Sequence, residues 1–296
     1  MLVMNSISEF HRILGVTRPE HPLISVIHFE DLGTFAEEIS EKVMYNFYMI
    51  LLVKKFDGRI RYGQNFVDFD EGSASFFSPG QILSTDDNAK EGWILIIHPD
   101  FIRSHAFGKT IKNYGFFSYD IYEALFLSEK EETVLNGIIH NIEQEFKSNI
   151  DNFSQNIIIS QVETLLNYAD RFYNRQFITR KQINNDLLSK LDKILNEYFD
   201  SEQVQDNGLP KVENLARELH LSPNYLSDML RSLTGLNTQQ TIQHKLVEKA
   251  KETLASTTLS VSEIAFRLGF SHPQSFNKFF KSKTQLSPLA FRRSFN

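Results

Sequence analysis

A pattern that occurs twice in the last third of the chain constrains the fold more than any other feature. The first copy runs from Leu215 to Leu226 and the second from Ile264 to Phe276. Equivalent residues lie 49 positions apart until the second copy gains one residue after its serine. The matched pairs are Ala216 and Ala265, Leu219 and Leu268, Leu221 and Phe270, and Ser222 and Ser271.

Each copy has the order of residues that is typical of a helix-turn-helix. A small residue lets a second helix approach closely, and a break follows at His220 or Gly269, where glycine accepts a left-handed backbone at little cost. The next apolar residue, Leu221 or Phe270, is expected to fill the angle between the helices. The serine after it is expected to cap the second helix, and Pro223 suits the first helical position of copy one.

The second helix of each copy is predicted to be amphipathic. Its apolar face would hold it on a small domain, and its polar face would point outward, as in helices that lie in a DNA major groove. A connecting helix over Thr238–Ala255 would span about 25 Å, which suits two helices in successive grooves about 34 Å apart. The apolar stripes are Leu226, Met229, Leu230 and Leu233 in copy one, and Phe276, Phe279 and Phe280 in copy two.

These motifs resemble the DNA-binding domain of the AraC/XylS family of bacterial transcription regulators. The resemblance is carried by Ile242, Lys245-Leu246, Ala250, Leu254, Gly269-Phe270-Ser271, Phe276, Phe279-Phe280-Lys281, Leu286-Ser287-Pro288 and Phe291-Arg292. Two positions depart from the family pattern. Gln285 stands at a turn where copy one has Gly235, and this implies a strain of about 1 kcal/mol if the backbone is left-handed. Phe291 stands where tyrosine is common.

The resemblance implies which side chains touch DNA. Candidate base readers are Asn224, Ser227 and Asp228 in copy one and His272, Gln274, Asn277 and Lys278 in copy two. Candidate phosphate contacts are Arg231, Lys281 and Lys283. Asn and Gln can pair with adenine, Lys can donate to guanine and Asp can accept from cytosine. The alternative for each is a merely solvated side chain, and Asp228 would repel phosphates if it missed a base.

The charge distribution supports a nucleic-acid partner although the whole chain carries −6. Residues 181–296 hold 15 Lys and Arg against 12 Asp and Glu, whereas residues 1–180 hold 16 against 25. Residues 264–296 contain six basic residues and no acidic one. A local basic surface matters more for phosphate contact than the charge of the whole chain. We therefore expect the acidic N-terminal part to be held away from DNA.

Residues 24–102 are predicted to be rich in β-strands. Frequent turn signals between short strands favour a small barrel or sandwich. Weaker motifs, Pro79-Gly80-Gln81, Gly92-Trp93 and His98-Pro99-Asp100-Phe101, look like the cupin-like barrel of the same family, which in some members holds a small effector. The predicted strands are Ile24–Phe29, Tyr45–Phe56, Arg59–Tyr62, Ala74–Phe77 and Trp93–His98, with an Asp57-Gly58 hairpin turn between the second and third.

An effector pocket in this barrel would need aromatic lining. The candidates are Tyr45, Phe47, Tyr48 and Trp93, and core packing is the alternative for each. A metal-loaded cupin needs a His-x-His pair with a nearby glutamate, but His28, His98 and His105 are isolated in the sequence. We therefore expect no metal and no cofactor. The sequence also has no nucleophile elbow and no glycine-rich phosphate loop, so we expect no enzyme.

Two helices are predicted between the barrel and the repeated motifs. Ser128 and Glu131 form a capping box for the first, whose stripe includes Leu135 and Ile142. The second, about Phe153–Tyr173, has a stripe at coiled-coil spacing, which favours a dimer contact over an intramolecular hairpin covering the barrel. That stripe consists of Ile158, Val162, Leu165, Ala169 and Phe172. Residues 174–185 are polar and basic and are predicted to be a linker.

The sequence thus predicts an α+β protein with three parts: a cupin-like sensing domain over 1–127, a helical dimerisation and linker segment over 128–180, and an all-α domain with two helix-turn-helix motifs over 184–296. It has no cysteine. No signal peptide is apparent, and the apolar stretch 44–53 is too short to span a bilayer, so a cytoplasmic protein is expected.

The predicted function is sequence-specific transcription regulation. The expected partners are double-stranded DNA, a second copy of the chain, a small effector, and RNA polymerase if the protein is an activator. A ligand-independent regulator controlled by its expression level is the alternative.

Overall fold

The computed structural model describes residues 2–32, 43–54, 59–62, 65–68, 72–83, 91–147, 151, 153–201 and 203–295. The chain divides into two compact units, residues 1–179 and 180–296. The first unit mixes strands and helices, and the described part of the second is helical. No helix in the described ranges is long and apolar enough to cross a membrane.

The first unit is built around short strands and two long helices. Its described strands are β1 (Leu2–Met4), β2 (Ile24–His28), β3 (Val43–Tyr45), β4 (Tyr48–Val53), β5 (Arg59–Tyr62), β6 (Asn65–Asp68), β7 (Ser73–Phe77), β8 (Gln81–Leu83), β9 (Gly92–Ile97) and β10 (Leu125–Phe126). Its described α-helices are α1 (Ile7–Ile13), α2 (Pro99–Ile102), α3 (Phe107–Thr110), α4 (Glu129–Lys147) and α5 (Ser154–Thr179).

The largest sheet has five antiparallel strands in the order β10-β7-β4-β9-β2. Neighbouring residues of β4 point to opposite faces, and both faces are buried. On one face Met49 lies in a core with Phe10 of α1 and Tyr45 of β3. On the other face Leu52 is paired with Trp93, whose Nε1 donates to Oδ1 of Asn136 in α4 at 2.8 Å. Burial on both faces explains the nearly continuous apolar runs of β4 and β9.

The described strands do not close into a barrel. They form the five-stranded sheet, a three-stranded sheet in the order β1-β3-β8, and the hairpin β5-β6. The predicted strand 45–56 is two strands, because the chain breaks at Asn46, whose N–H donates to the Met4 carbonyl at 3.0 Å. The predicted return of 59–62 along that strand is wrong, since β5 pairs with β6. The Asp57-Gly58 turn lies outside the described residues.

Helices α4 and α5 pack against each other, and α5 also contacts β10. The stripe that was predicted to be a dimer seam, Ile158, Val162, Leu165, Ala169 and Phe172, is buried within the single chain. That prediction is therefore wrong for this face, and the alternative, an intramolecular hairpin, is the observed arrangement. Polar contacts fix the hairpin as well: Arg175 of α5 pairs with Glu131 of α4 at 2.6 Å, and Glu131 also accepts from the Ser128 N–H at 2.9 Å.

The second unit is organised around its central helix, α10. Its described helices are α6 (Lys181–Asp200), α7 (Gln203–Asn207), α8 (Val212–Glu218), α9 (Pro223–Thr234), α10 (Thr238–Ser256), α11 (Val261–Arg267), α12 (Pro273–Thr284) and α13 (Pro288–Arg293). Helix α10 contacts α6, α9, α11, α12 and α13. The predicted linker 174–185 is helical except at Arg180, because α5 and α6 extend into it from either side.

Candidate nucleic-acid interface

The first helix-turn-helix consists of α8 and α9. Ala216 is fully buried where α8 meets α9, as the small residue in the pattern predicts. The turn passes through His220, whose φ of 58° lies in the left-handed region. Leu221 is buried, and the hydroxyl of Ser222 accepts from the Tyr225 N–H at 3.2 Å, which caps α9. All of these local predictions are confirmed.

The second helix-turn-helix consists of α11 and α12. Ser260 and Glu263 cap α11 reciprocally. Gly269 has φ 81°, and a Cβ there would lie 2.4 Å from the carbonyl oxygen of Val204 in α7. Glycine is therefore required both by the left-handed backbone at this position and by the close approach of α7.

The start of α12 differs from the sequence prediction. The N-cap residue is His272 and not Ser271, and its side chain makes no capping hydrogen bond. The reason is the extra residue in copy two, which places the serine one position too early. Pro273 occupies the first turn of α12, where its missing N–H needs no partner.

Helices α9 and α12 end in the same kind of turn. The C-cap residues are Gly235, with φ 77°, and Gln285, with φ 64°. The left-handed backbone predicted at Gln285 is confirmed, and it implies about 1 kcal/mol of strain for a side chain with a Cβ. In each turn a threonine side chain, Thr234 or Thr284, accepts from the N–H two residues later, at 3.2 and 3.3 Å.

Helices α9 and α12 each bury one face and expose the other. On α9, Leu226, Met229 and Leu230 are buried, while Asn224 is exposed and Ser227 is half-buried. On α12 the buried residues are Phe276 and Phe280. The candidate base readers of copy two, His272, Gln274, Asn277 and Lys278, are all exposed. The structure therefore leaves these side chains available to a partner.

Two of the candidates in copy one are engaged with each other. Arg231 Nη1 lies 2.8 Å from Asp228 Oδ1, one turn earlier on α9. Asp228 is half-buried, while the Arg231 side chain is 59% exposed. The guanidinium that was expected to touch phosphate is thus tied to the carboxylate that was expected to touch a base.

The basic side chains of α12, unlike Arg231, are not held in ion pairs within the described residues. Lys278, Lys281 and Lys283 are exposed, and within the described residues none of them has an acidic partner within 4 Å. Arg267, in the last turn of α11, is exposed in the same way. Sequence reasoning did not assign Arg267 to the interface, although it lies in the stretch that contains no acidic residue.

The connecting helix holds its own lysines in ion pairs. Lys245 contacts Asp192 of α6 at 2.5 Å, and Lys249 contacts Asp200 of α6 at 2.7 Å. The hydrogen bond to Asp200 raises the pKa of Lys249 above its ordinary value. Lys251 pairs with Glu248 on α10 itself. Lys245 and Lys249 thus join α10 to α6, and Lys251 pairs within α10. Because all three are paired, they contribute little unpaired positive charge.

The four aromatic residues proposed for an effector pocket do not share one lining. Tyr45 and Phe47 fill the core beside Phe10, with ring centroids 5.5 and 5.7 Å from it, and burial raises the pKa of Tyr45 to about 12. Tyr48 packs edge-on against Phe117. Trp93 lines a cavity of about 300 Å³. The polar residues around that cavity include His28, Glu30, Asn136, His140 and Glu143.

The isolated histidines of the first unit have structural partners. His28 Nε2 lies 2.6 Å from Oε1 of Glu143 in α4. The ring nitrogens of His98 and His105 accept from the N–H groups of Asp100 and Phe107, each at 3.2 Å. In the part of the chain that the structure describes, no three metal-ligating side chains converge.

A family model described as a helix-turn-helix domain matches residues 215–294. The C-terminal segment is an AraC-type helix-turn-helix domain. This confirms the resemblance that the repeated pattern carries. In this domain α8 with α9 and α11 with α12 are the two helix-turn-helix motifs, and α10 connects them.

Two curated relatives align with part of this chain. An uncharacterized HTH-type transcriptional regulator, YfiF of Bacillus subtilis, is 30% identical over 148 residues, which are 49% of this chain and 43% of the relative. The regulatory protein PocR of Salmonella typhimurium is 31% identical over 108 residues, 36% of this chain and 34% of the relative. The chain thus spans less than half of the length of both relatives.

A solved structure is similar to about a third of this chain. It is the C-terminal domain of the two-component response regulator yesN from Fusobacterium nucleatum, with 30% identity, 36% of this chain and 98% of that chain covered, and a TM-score of 0.32.

Proposed function

We propose that this protein is a sequence-specific transcription regulator that binds double-stranded DNA through α9 and α12. The observation that carries the proposal is the pair of amphipathic helices that one connecting helix holds in one domain. Helix α10 has 19 residues and is about 28 Å long at 1.5 Å per residue. That length is compatible with placing two recognition helices in successive major grooves, which are about 34 Å apart.

The side chains on the exposed faces support direct reading of bases. Asn277, Gln274 and Asn224 carry amides that can bond bidentately to adenine, and Lys278 can donate to guanine. All four are exposed. Lys281 and Lys283 follow on the last turn of α12, where they are suited to phosphate contact.

In vitro selection of DNA sites with the full chain tests this proposal. We expect an enriched motif with two sequence-dependent segments about one helical turn apart, because the two helices enter successive grooves. A final pool with no sequence preference would refute it. A variant in which Asn224, Gln274 and Asn277 are changed to Ala is the matched control, and it should select a motif with weaker sequence preference while it still binds DNA at low salt.

We also propose that the first unit is a sensing domain that controls the DNA-binding domain, as in the cupin-like barrels of the family. The cavity of about 300 Å³ beside Trp93 supports an effector site of small-molecule size. The ligand-independent alternative is favoured by the core positions of Tyr45 and Phe47. Thermal-shift screening of the full chain against metabolites separates the two: effector control requires a compound that raises the melting temperature and also changes DNA affinity.

Dimerisation is part of the same proposal, although not through the buried stripe of α5. Phe153 and Ile157, at the start of α5, are 70% and 44% exposed, and such apolar residues support a contact with a second copy. Sedimentation equilibrium would detect a dimer, and a monomer at micromolar concentration with and without DNA would contradict it. The proposed setting is the cytoplasm, with RNA polymerase as a further partner if the protein activates transcription.

A further inference from the structure

The two helix-turn-helix motifs differ in charge although they match in fold. Residues 212–234, from α8 to the end of α9, contain three acidic and two basic residues. Residues 261–284, from α11 to the end of α12, contain one acidic and four basic residues. Since the salt-dependent part of DNA binding comes from cationic side chains that neutralise phosphates, the two motifs are not expected to contribute equally to it.

Ion pairing makes the difference larger. In the first motif Arg231 is bound to Asp228, so Arg217 is its one cation without an acidic partner among the described residues. In the second motif all four basic residues are exposed and lack such a partner within the described ranges. The lysines of α10 between the motifs are paired to Asp192, Asp200, Glu248 and Glu252. The available positive charge is therefore concentrated on one motif.

The Asp228–Arg231 pair also restrains the Asp228 carboxylate. Arg231 holds Oδ1 of Asp228 at 2.8 Å, so the carboxylate is fixed on the half-buried flank of α9. A carboxylate in the major groove gains by accepting from the exocyclic amino group of cytosine, and it repels phosphates in any other register. A held carboxylate therefore discriminates between sequences more than it adds to affinity.

We propose that the two motifs divide the work on DNA. The second motif, through Lys281, Lys283 and Arg267, supplies most of the phosphate contacts and hence most of the salt-dependent affinity. The first motif supplies few phosphate contacts and adds to selectivity through Asp228, beside the base contacts proposed for α12, and Arg231 is a positioning residue for that carboxylate instead of a phosphate contact. This division rests on the proposed function, because it presumes that both motifs meet the same duplex.

The experiment measures the dissociation constant at several salt concentrations, by fluorescence anisotropy, for the full chain on its selected site and on an unrelated duplex. Each phosphate contact contributes about 0.9 to the magnitude of the slope of the logarithm of the binding constant against the logarithm of the salt concentration. We expect the double variant Lys281→Gln, Lys283→Gln to lower the magnitude of the slope by about 1.8 on both duplexes. The ratio between the two duplexes should stay within about twofold of the unchanged protein, since phosphate contacts carry no sequence information.

Variants of the first motif should behave in the opposite way. Arg231→Gln should leave the slope within about 0.3 of the unchanged protein, because this guanidinium does not release a counterion. Asp228→Asn should reduce the preference for the selected site by roughly 5- to 150-fold, the range that one base contact provides. It should also increase the magnitude of the slope by about 0.9, because the freed Arg231 can then reach a phosphate. The double variant Asp228→Asn, Arg231→Gln should lose that added slope.

The possible results distinguish a failure of the proposed function from a failure of the division between the two motifs. If the unchanged protein prefers no sequence, the proposed function fails. The division between the motifs is overturned if the protein prefers its site but Arg231→Gln lowers the magnitude of the slope by about 0.9. It is also overturned if the lysine variant leaves the slope unchanged. Circular dichroism and melting curves show whether each variant is folded, which is expected because the substituted lysines and Arg231 are exposed.

Discussion

Lys249 Nζ lies 2.7 Å from Oδ1 of Asp200, and this contact joins the connecting helix α10 to the last residue of α6. The lysine side chain is only 24% exposed, and Glu252 approaches the same ammonium group at 3.1 Å. Helix α6 is not part of either helix-turn-helix motif. The contact makes it part of the DNA-binding domain, since it fixes α6 on the helix that spaces the two motifs.

We expect Asp200→Asn to lower the free energy of unfolding of the second unit by about 0.5–1 kcal/mol, the usual contribution of a partly exposed ion pair. The measurement is chemical denaturation followed by circular dichroism. The matched control is Glu197→Gln, because Glu197 pairs with Lys193 at 3.7 Å on the exposed surface of the same helix. If the control lowered the free energy of unfolding as much as Asp200→Asn does, the α6–α10 ion pair would stabilise the unit no more than an exposed ion pair on α6.

The turns after α9 and α12 offer a reciprocal test. We expect Gln285→Gly to stabilise the protein by about 1 kcal/mol, because Gln285 has a left-handed backbone that disfavours a Cβ. The reverse change at the equivalent position, Gly235→Gln, should destabilise it by about the same amount, since a Cβ at Gly235 would meet no atom within 4 Å. Thermal and urea unfolding report both. If Gln285→Gly proved destabilising, the glutamine side chain would have a stabilising role that outweighs the strain.

The second domain was predictable because its local signals agree with one another. The breaks at His220 and Gly269, the cap at Ser222 and the extent of α10 all follow from short-range rules, and the structure confirms them. The cap of α12 was not predicted correctly, because one inserted residue moved it to His272. An offset of one position is difficult to detect when both neighbouring residues are polar.

The first unit was less predictable because its partners are distant in the sequence. The strand Arg59–Tyr62 has the composition of a hairpin partner for β4, yet it pairs with β6. The stripe through Val162 and Leu165 has the spacing of a dimer seam, but the same spacing serves a helix that packs on α4. Periodicity identifies an apolar face and does not identify what covers it. The ion pairs between α6 and α10 also join residues about fifty positions apart, with no local signal.

A buried histidine should make the first unit sensitive to acid. His11 is 5% exposed, and its Nε2 lies 2.9 Å from the Ser25 hydroxyl. Burial lowers the pKa of His11 below its ordinary value of 6.5, so the folded state favours the neutral ring. The stabilising contribution is therefore complete above pH 6.5 and is lost as the pH falls through the folded-state pKa. Burial lowers the pKa of His21 in the same direction.

We expect the melting temperature of the first unit to fall as the pH is lowered from 6.5, and the fall should be smaller for His11→Gln. The measurement is differential scanning calorimetry at several pH values. The control is His140→Gln, because His140 is exposed on α4. A profile that is identical in His11→Gln and the unchanged protein would assign the acid sensitivity to other groups.

The sharpest test of base reading concerns Asn277. It lies on the exposed face of α12 one position after Phe276, which is completely buried and fixes the helix on the domain. An amide held in this way can donate to N7 and accept from the amino group of adenine, and no phosphate contact replaces that pattern. We expect Asn277→Ala to weaken binding to the selected site by about 1–3 kcal/mol and to change nonspecific binding little.

Mobility-shift titrations on the selected site and on an unrelated duplex measure both quantities for the Asn277→Ala variant. The matched control is Ser282→Ala, since Ser282 is exposed on the same helix and donates to the Phe279 carbonyl at 2.7 Å. That variant should bind both duplexes as the unchanged protein does. If Asn277→Ala weakened binding equally on every sequence, Asn277 would be a backbone contact, and the bases read by α12 would have to be assigned to Gln274 and Lys278.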